Sequence, residues 1–262
     1  MILDSTMLEL RQITKKYGIL KAVDRVSFTV RHGEAVGYLG PNGAGKSTTI
    51  KMLAGLLEPT DGEILYNGHN VWKNLVWFKE RLGYVPEEQA LYSHMSAYDY
   101  LLLVGRLRKI EESVLKKKIM GFMEVFGLSG DIYSEIASFS KGMVQKVLIS
   151  AALLHDPEVL LLDEPLSGLD VTTALVVREL VRKLSEEGKI VIYSSHILDI
   201  VEKVASRVII LHQGRVQADD SVENLRGLMN VPSLEEIFKD LAIQVNPLDG
   251  ASELLSIMKN HN

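Results

Sequence analysis

Several features that would point to other classes of protein are missing from this chain of 262 residues. It contains no cysteine, which excludes disulfides and thiolate metal sites and is compatible with a reducing compartment. No stretch approaches the roughly 18 apolar residues that a membrane-spanning helix needs. Acidic residues outnumber basic ones by 34 to 29, and the net charge of −5 argues against broad electrostatic binding of nucleic acid. We therefore expect a soluble protein, cytoplasmic or bound to a membrane through a partner.

The most informative feature that is present is a glycine-rich segment that fits the phosphate-binding loop pattern G-x-x-x-x-G-K-[ST]. Its residues are Gly40, Pro41, Asn42, Gly43, Ala44, Gly45, Lys46 and Ser47, followed by Thr48. The apolar segment 35–39 predicts a buried strand before it, and apolar residues at helical spacing predict a helix over 46–57. A strand, a glycine loop and a helix start place backbone N–H groups around one anion. We expect Lys46 to reach the β- and γ-phosphates and Ser47 to ligate Mg²⁺.

The remaining pattern predicts an α/β fold with a mainly parallel sheet covered on both faces. Segments 159–162 and 190–193 are apolar throughout, as central strands are, and a further strand is predicted over 208–211. Segments 8–13 and 23–30 predict an antiparallel part, because the second alternates apolar and polar residues. From about residue 91 to 154 helical periodicity replaces the strand signal, which predicts a helical insertion. Helices are also predicted over 171–187, over 197–204 and in the tail, over 233–241.

Two carboxylates end the apolar strand 159–162. Ligands bind at the carboxyl ends of parallel strands, so Asp163 is expected to face the Mg²⁺ and Glu164 to orient and polarise an attacking water. A solvated acidic pair at a strand end is the alternative, and the glycine loop disfavours it. His196 follows the next strand and is expected to hydrogen-bond a γ-phosphate oxygen, although a lone histidine is more often a surface or capping residue.

A second anion site is suggested by Ser140, Lys141 and Gly142, which precede an apolar helix. Physical chemistry alone favours the simpler interpretation, in which Ser140 is an ordinary helix N-cap. Tyr17 by itself is a surface residue on a hairpin.

These motifs, in this order, resemble the ATP-binding cassette of ABC transporters over residues 7–220. The glycine loop is similar to Walker A, and residues 160–165 are similar to Walker B with its catalytic glutamate. Residues 167–170 resemble the D-loop, 194–196 the switch-histidine loop, and 140–145 the family signature. The resemblance implies a P-loop NTPase fold with a mixed central sheet, an antiparallel β subdomain and a helical subdomain inserted at about 88–154, followed by a helical extension over 221–262.

The resemblance also assigns roles to the candidate residues. It implies that Tyr17 stacks on adenine, that Lys46, Glu164 and His196 are catalytic, and that Ser140, Gly142 and Asp170 contact the ATP of a neighbouring cassette. Ser47 and Asp163 would hold Mg²⁺. The chain departs from the family pattern at Phe139, Lys141, Leu166 and Glu87. Glu87 stands where the family has a glutamine that ligates Mg²⁺, and either Glu87 or the nearby Gln89 is expected to take that role.

The function implied is that of an ATP-binding and ATP-hydrolysing subunit of an ABC transporter, with export as the expected direction of transport. It would dimerise head to tail with itself or a homologous subunit and act on separate membrane subunits at the cytoplasmic face of the membrane. A non-transport ABC ATPase and a regulatory module that binds ATP without turnover are the alternatives. A single cassette without long heptads disfavours the first, and intact Lys46, Asp163, Glu164 and His196 disfavour the second. A small-molecule kinase is a third alternative with a phosphate-binding loop, and it is disfavoured because it would not need the segments 140–142 and 167–170.

Overall fold

The computed structural model describes residues 7–195, 201–202, 205–229 and 258. Within these residues ten strands form two sheets, one of four strands in the order β2-β1-β4-β5 and one of six in the order β10-β9-β3-β8-β7-β6. The strands are β1 (Met7–Tyr17), β2 (Leu20–Arg31), β3 (Ala35–Leu39), β4 (Asp61–Tyr66), β5 (His69–Asn70), β6 (Leu82–Val85), β7 (Val159–Asp163), β8 (Ile190–Ser194), β9 (Arg207–His212) and β10 (Arg215–Ser221).

The helices of the described residues surround the six-stranded sheet and form a separate cluster between β6 and β7. They are α1 (Lys46–Leu53), α2 (Leu75–Lys79), α3 (Ala97–Leu107), α4 (Glu112–Val125), α5 (Lys141–Leu153), α6 (Val171–Glu186) and α7 (Val222–Met229), with a 3₁₀ turn at Ile136–Ser138. None of these helices is both long enough and apolar enough to cross a bilayer.

The two sheets have different hydrogen-bonding patterns, as the sequence predicts. The four-stranded sheet is antiparallel, whereas β9, β3, β8, β7 and β6 are all parallel. The central strands β3, β7 and β8 are buried at every residue, because both of their faces are covered. The edge strand β10 is antiparallel to β9, so the sheet is mixed.

The helical insertion is confirmed, because α3, α4 and α5 lie between β6 and β7 and no strand interrupts them. Ser96 caps α3 by accepting a hydrogen bond from the Asp99 N–H at 3.0 Å, in agreement with the capping pattern in the sequence. Leu101, Leu115 and Ile119 are fully buried in this cluster and join the core that covers one face of the sheet. The insertion is thus fixed to the sheet through a shared apolar core.

Several element boundaries differ from the predictions. Helix α1 ends at Leu53 rather than residue 57, because Gly55 adopts a left-handed conformation (φ 65°) that ends the helix. Strand β10 continues to Ser221, and α7 follows with Val222 and Leu225 buried in the core. The extension predicted from residue 221 therefore begins with a helix that packs on the cassette. The predicted helix over 197–204 lies largely outside the described residues, and the predicted tail helix lies entirely outside them.

Candidate functional site

The glycine loop connects β3 to α1 and is shaped by two close backbone contacts. Gly45, the residue before α1, has φ 105°, and a Cβ there would lie 2.4 Å from the carbonyl oxygen of Ala22. A Cβ on Gly40 would lie 2.4 Å from the Leu211 carbonyl oxygen. Both positions therefore require glycine, because any side chain would force the loop away from its neighbours. The loop is held at the carboxyl ends of β3 and β9.

A cavity of about 750 Å³ opens over this loop. It is lined by Tyr17, Leu20, Ala22, Gly40, Pro41, Asn42, Gly43, Gly45, Lys46, Ser47, Thr48, Glu87 and Glu164. The hairpin between β1 and β2 supplies one wall and the loops after β6 and β7 supply another. Of the predicted loop residues, Ala44 does not line the cavity. Its methyl group is buried in the core and its N–H donates to the Pro41 carbonyl at 3.1 Å.

Lys46 points back across its own loop. Its ammonium donates to the carbonyl of Gly40 at 2.6 Å and to that of Pro41 at 3.3 Å. Burial lowers the pKa of the Lys46 ammonium, and the charges of nearby carboxylates oppose that shift; Glu164 has the largest effect among them. Two carbonyl oxygens thus hold the Lys46 ammonium at the floor of the cavity. A phosphate oxygen can take the place of either carbonyl as the partner of the ammonium.

Asp163 ends β7 and is only 1 % exposed. Its Oδ1 accepts a hydrogen bond from the Ser194 hydroxyl, because Asp163 and Ser194 are paired in register on neighbouring parallel strands. Its Oδ2 is buried without a hydrogen-bond partner among the described residues. Burial, together with the charge of Glu87, raises the pKa of this carboxyl group. An unpartnered carboxylate oxygen close to the phosphate loop fits a hard cation such as Mg²⁺.

Ser47 and Glu87 are the other two residues predicted to ligate Mg²⁺. The Ser47 hydroxyl donates to Glu87 Oε2 at 3.2 Å, so the two predicted ligands are in direct contact. Gln89, the alternative to Glu87, instead donates to the Lys141 carbonyl at 3.1 Å and to Gln145 Oε1 at 2.7 Å. In this structure Glu87 faces the phosphate loop, and the Gln89 amide is bonded to α5.

Glu164 lines the cavity from the residue after β7. Its φ of 50° is unusual for a residue with a side chain, and its N–H donates to the Ser194 carbonyl at 3.1 Å. The Ser195 hydroxyl lies 3.4 Å from its Oε2. The turn in the backbone directs Glu164 into the cavity while Asp163 stays within the sheet. His196, the predicted γ-phosphate contact, lies outside the described residues.

Tyr17 borders the cavity at the end of β1. Its ring is 52 % exposed, and the Lys15 ammonium lies 5.9 Å from the ring centre. An exposed ring on the cavity wall is free to stack on a planar base. The β1–β2 hairpin also contributes Leu20 and Ala22, which the sequence did not single out because short apolar residues on a hairpin carry no distinctive pattern.

Ser140, Gly142 and Asp170 do not line the cavity in the described part of the chain. Ser140 caps α5 by accepting from the Met143 N–H at 3.3 Å, and Asp170 caps α6 by accepting from the Thr173 N–H at 2.8 Å. The hydrogen bonds from Thr173 lower the pKa of Asp170. A Cβ on Gly142 would lie 2.4 Å from the Gly168 carbonyl oxygen, so the segments 140–142 and 167–170 pack tightly together. The two halves of the motif set thus occupy separate places on one chain.

Lys141 joins these two segments through its side chain. Its ammonium donates to the Ser167 hydroxyl at 2.7 Å. Its Cγ lies so close to Gly168 that a Cβ added there would be only 3.1 Å from it. Lys146 reinforces the contact through an ion pair with Asp170 at 3.3 Å. This surface is therefore held together by polar contacts between its own residues.

Comparison with known proteins relates this geometry to a family. The family model described as ABC transporter matches residues 23–167. The ABC transporter ATP-binding protein NatA of Bacillus subtilis is 38 % identical over 229 residues, which cover 87 % of this chain and 93 % of that protein. The linearmycin resistance ATP-binding protein LnrL of Bacillus subtilis is 39 % identical over 212 residues, covering 81 % and 68 %. A solved ATP-binding subunit of an ABC transporter is 33 % identical, with a TM-score of 0.85 over 90 % of this chain and 99 % of that one.

Proposed function

The chain belongs to the family of ABC transporter ATP-binding proteins, and we propose that it binds and hydrolyses ATP at the cavity over the glycine loop to drive separate membrane subunits. The observation that carries this proposal is the joint placement of Lys46, Ser47, Asp163 and Glu164 at the carboxyl ends of the parallel strands β3 and β7, which lie on either side of β8. Parallel sheets bind ligands at that edge. We extend the proposal to the cassette boundaries 7–220, with 221–262 as an extension.

The chain's own groups supply binding and orientation. Tyr17 stacks on the adenine, and the loop N–H groups with the start of α1 hold the phosphates. The Lys46 ammonium exchanges its carbonyl partners for β- and γ-phosphate oxygens. Ser47, Asp163 and Glu87 would hold Mg²⁺, which neutralises phosphate charge when it is bound.

Hydrolysis requires a base beside the γ-phosphate. Glu164 accepts a proton from water while the water oxygen forms a bond to the γ-phosphorus. The bond from the γ-phosphorus to the β–γ bridging oxygen breaks, which yields ADP and inorganic phosphate. The Lys46 charge stabilises the developing negative charge on the phosphate oxygens. His196 is proposed as a further contact to the γ-phosphate.

A second copy of this chain completes the site. Ser140, Gly142 and Asp170 lie away from the cavity of their own chain, and Ser140 presents the N-terminus of α5, an anion-binding feature. Head-to-tail pairing would place that helix end over the γ-phosphate bound by the other copy. ATP then joins the two copies, and hydrolysis removes the γ-phosphate contacts that favour the closed dimer.

We propose that the dimer acts on a membrane permease and lies at the cytoplasmic face of the cell membrane. The relative LnrL is named for linearmycin resistance, which supports export as the direction of transport. The helical insertion and the loop after Glu87 would transmit the motion of the dimer, because Glu87 lines the nucleotide cavity and the helices of the insertion follow it in the chain.

The variant Glu164→Gln tests the proposed chemistry. The amide keeps the shape of the side chain but cannot accept the proton, so phosphate release should fall by about 10²- to 10⁴-fold. Binding of a fluorescent ATP analogue should remain within about twofold of wild type, since Glu164 is not proposed to bind the nucleotide. The exposed Glu124→Gln, which makes the same charge change on α4, should retain wild-type phosphate release. Wild-type turnover in Glu164→Gln would overturn the assignment of the base.

A further inference from the structure

We propose that Gln145, in the second turn of α5, is a positioning residue for the base. Its buried amide holds the backbone directly after Glu164, so the direction in which Glu164 points depends on this side chain. The inference rests on the proposed function, because it takes Glu164 as the group that accepts the proton from water. It goes further by assigning a role in turnover to a side chain that is not among the described residues lining the cavity of about 750 Å³.

The first observation is that the Gln145 amide is buried and hydrogen-bonded at both of its ends. The residue is 1 % exposed. Its Nε2 donates to the Pro165 carbonyl at 2.9 Å, and its Oε1 accepts from Gln89 Nε2 at 2.7 Å. Because burying an amide is costly unless it is hydrogen-bonded, these two bonds determine where the side chain lies in the interior.

Neighbouring carbonyl groups fix the direction in which the amide faces. The Pro165 carbonyl can only accept, so the NH₂ group of Gln145 must face it. Gln89 Nε2 also donates to the Lys141 carbonyl at 3.1 Å, which turns its NH₂ group towards α5 and towards Gln145 Oε1. Gln89 therefore orients Gln145, and Gln145 in turn holds Pro165.

The second observation is the conformation of the backbone that Gln145 holds. Glu164 has φ 50°, in the left-handed region that a residue with a side chain enters at a cost, and such a conformation persists only where surrounding contacts impose it. Before the turn, the Glu164 N–H donates to the Ser194 carbonyl at 3.1 Å. After it, Pro165 has no N–H, so its carbonyl is the backbone group through which a hydrogen bond can hold it, and that carbonyl accepts from Gln145.

Loss of the bond to Pro165 would let this turn relax and would displace the Glu164 carboxylate. A general base must lie within hydrogen-bonding reach of the proton that it accepts, and a displacement of about 1 Å can lower the rate about 10²-fold. Nucleotide binding would be spared, because the hydrogen bonds described for Gln145 go to Gln89 and Pro165 and none goes to the phosphate loop. The inference therefore predicts a loss of kcat without a loss of nucleotide affinity.

Phosphate release by Gln145→Met tests this expectation. Methionine has a similar volume but neither of the bonding groups of the amide. We expect kcat to fall by about 10- to 100-fold, while the Kd for a fluorescent ATP analogue stays within about twofold of wild type. The matched control is Ser150→Ala, which removes another buried side-chain hydrogen bond of α5, to the Lys146 carbonyl at 2.8 Å, and should retain wild-type kcat.

Double variants separate positioning from a general loss of stability. The residual phosphate release of Glu164→Gln does not use the carboxylate, so adding Gln145→Met should lower it by less than about twofold. Gln89→Met removes the group that orients Gln145 and should lower kcat by about threefold or more, yet it should add nothing to the loss caused by Gln145→Met. Losses that multiply in either pair would show independent effects and would overturn the inference.

The outcomes also separate this inference from the proposed function. If Glu164→Gln lowers phosphate release but Gln145→Met keeps wild-type kcat, or loses nucleotide affinity as much as kcat, the positioning role is overturned and the proposed function stands. An equal loss of kcat in Ser150→Ala overturns it as well. If Glu164→Gln keeps wild-type turnover, the proposed function and the inference fail together. Should Gln145→Met not fold, Gln89→Met carries the test, and wild-type kcat in that variant overturns the inference.

Discussion

Replacement of Asp163 by asparagine is expected to stabilise the nucleotide-free protein. The wild-type side chain buries a carboxylate whose Oδ2 has no hydrogen-bond partner and whose pKa is raised by burial and by Glu87. Asparagine removes the charge, keeps an oxygen for the Ser194 hydroxyl and places an amide where Oδ2 lies. The substitution would therefore increase stability but remove one of the residues proposed to hold the metal.

The size of the effect follows from the burial of this one group. Burying a charge without full compensation costs about 1–3 kcal/mol, which is the part that the neutral amide removes, and in a chain of this size about 1 kcal/mol shifts Tm by about 2–4 °C. We expect Asp163→Asn to raise Tm by about 2–6 °C in EDTA at neutral pH. The exposed Asp131→Asn, whose carboxylate forms no described hydrogen bond or ion pair, should leave Tm within about 1 °C of wild type.

The pH dependence has a definite sign. A raised pKa in the folded state means that the folded protein binds the proton more tightly than the unfolded chain, whose carboxyl group titrates near 3.8. The destabilisation is fully present above the raised pKa and disappears below the unfolded value. The advantage of Asp163→Asn should therefore shrink as the pH falls towards 3.8. Equal or lower Tm for Asp163→Asn at neutral pH, measured by differential scanning fluorimetry, would refute this reasoning.

Two further substitutions examine the remaining parts of the site. Tyr17→Ala removes the exposed ring and should weaken ATP binding by about tenfold, because a stacking contact worth roughly 1–3 kcal/mol is lost. Tripolyphosphate, which has no base, should compete for the site as well as it does in wild type. An equal loss of affinity for both ligands would show that Tyr17 does not contact the base. Gly142→Ala places a Cβ 2.4 Å from the Gly168 carbonyl oxygen, so the two segments can no longer pack as closely. Phosphate release should fall at least about tenfold, while ATP binding to the isolated chain is retained. Unchanged turnover would argue against a role for this close contact.

The central strands could be predicted from the sequence more accurately than the end of helix α1 or the limits of β1, which was predicted over 8–13 and runs from Met7 to Tyr17. The apolar runs that became β3, β7 and β8 are short and bounded by polar or turn residues, which fixes their type and places their limits to within one residue. The early end of α1 could not be predicted, since Leu56 and Leu57 continue the apolar spacing. The chain turns away at Gly55, whose left-handed conformation overrides that spacing. Helix α2 was missed because its five residues are too short to show a period.

In the candidate site, features that follow from the order of residues along the strands could be predicted, whereas features that depend on contacts between distant segments could not. The phosphate loop and the carboxylates after β7 could be placed at one edge because parallel strands share their carboxyl ends. The choice between Glu87 and Gln89 could not be made, because both follow β6 on the same loop. The structure directs Glu87 towards Ser47 and Gln89 towards Gln145, a difference that depends on contacts from distant segments.

The most direct test of the composite, two-copy site is the mass of Glu164→Gln in solution, measured by sedimentation velocity with and without ATP and Mg²⁺. The variant binds ATP without consuming it, so the closed state persists long enough to be detected. The account predicts a monomer without nucleotide, a dimer with ATP, and a monomer under both conditions when Gly142→Ala is added to Glu164→Gln. A Glu164→Gln protein that is saturated with ATP yet remains a monomer would contradict it.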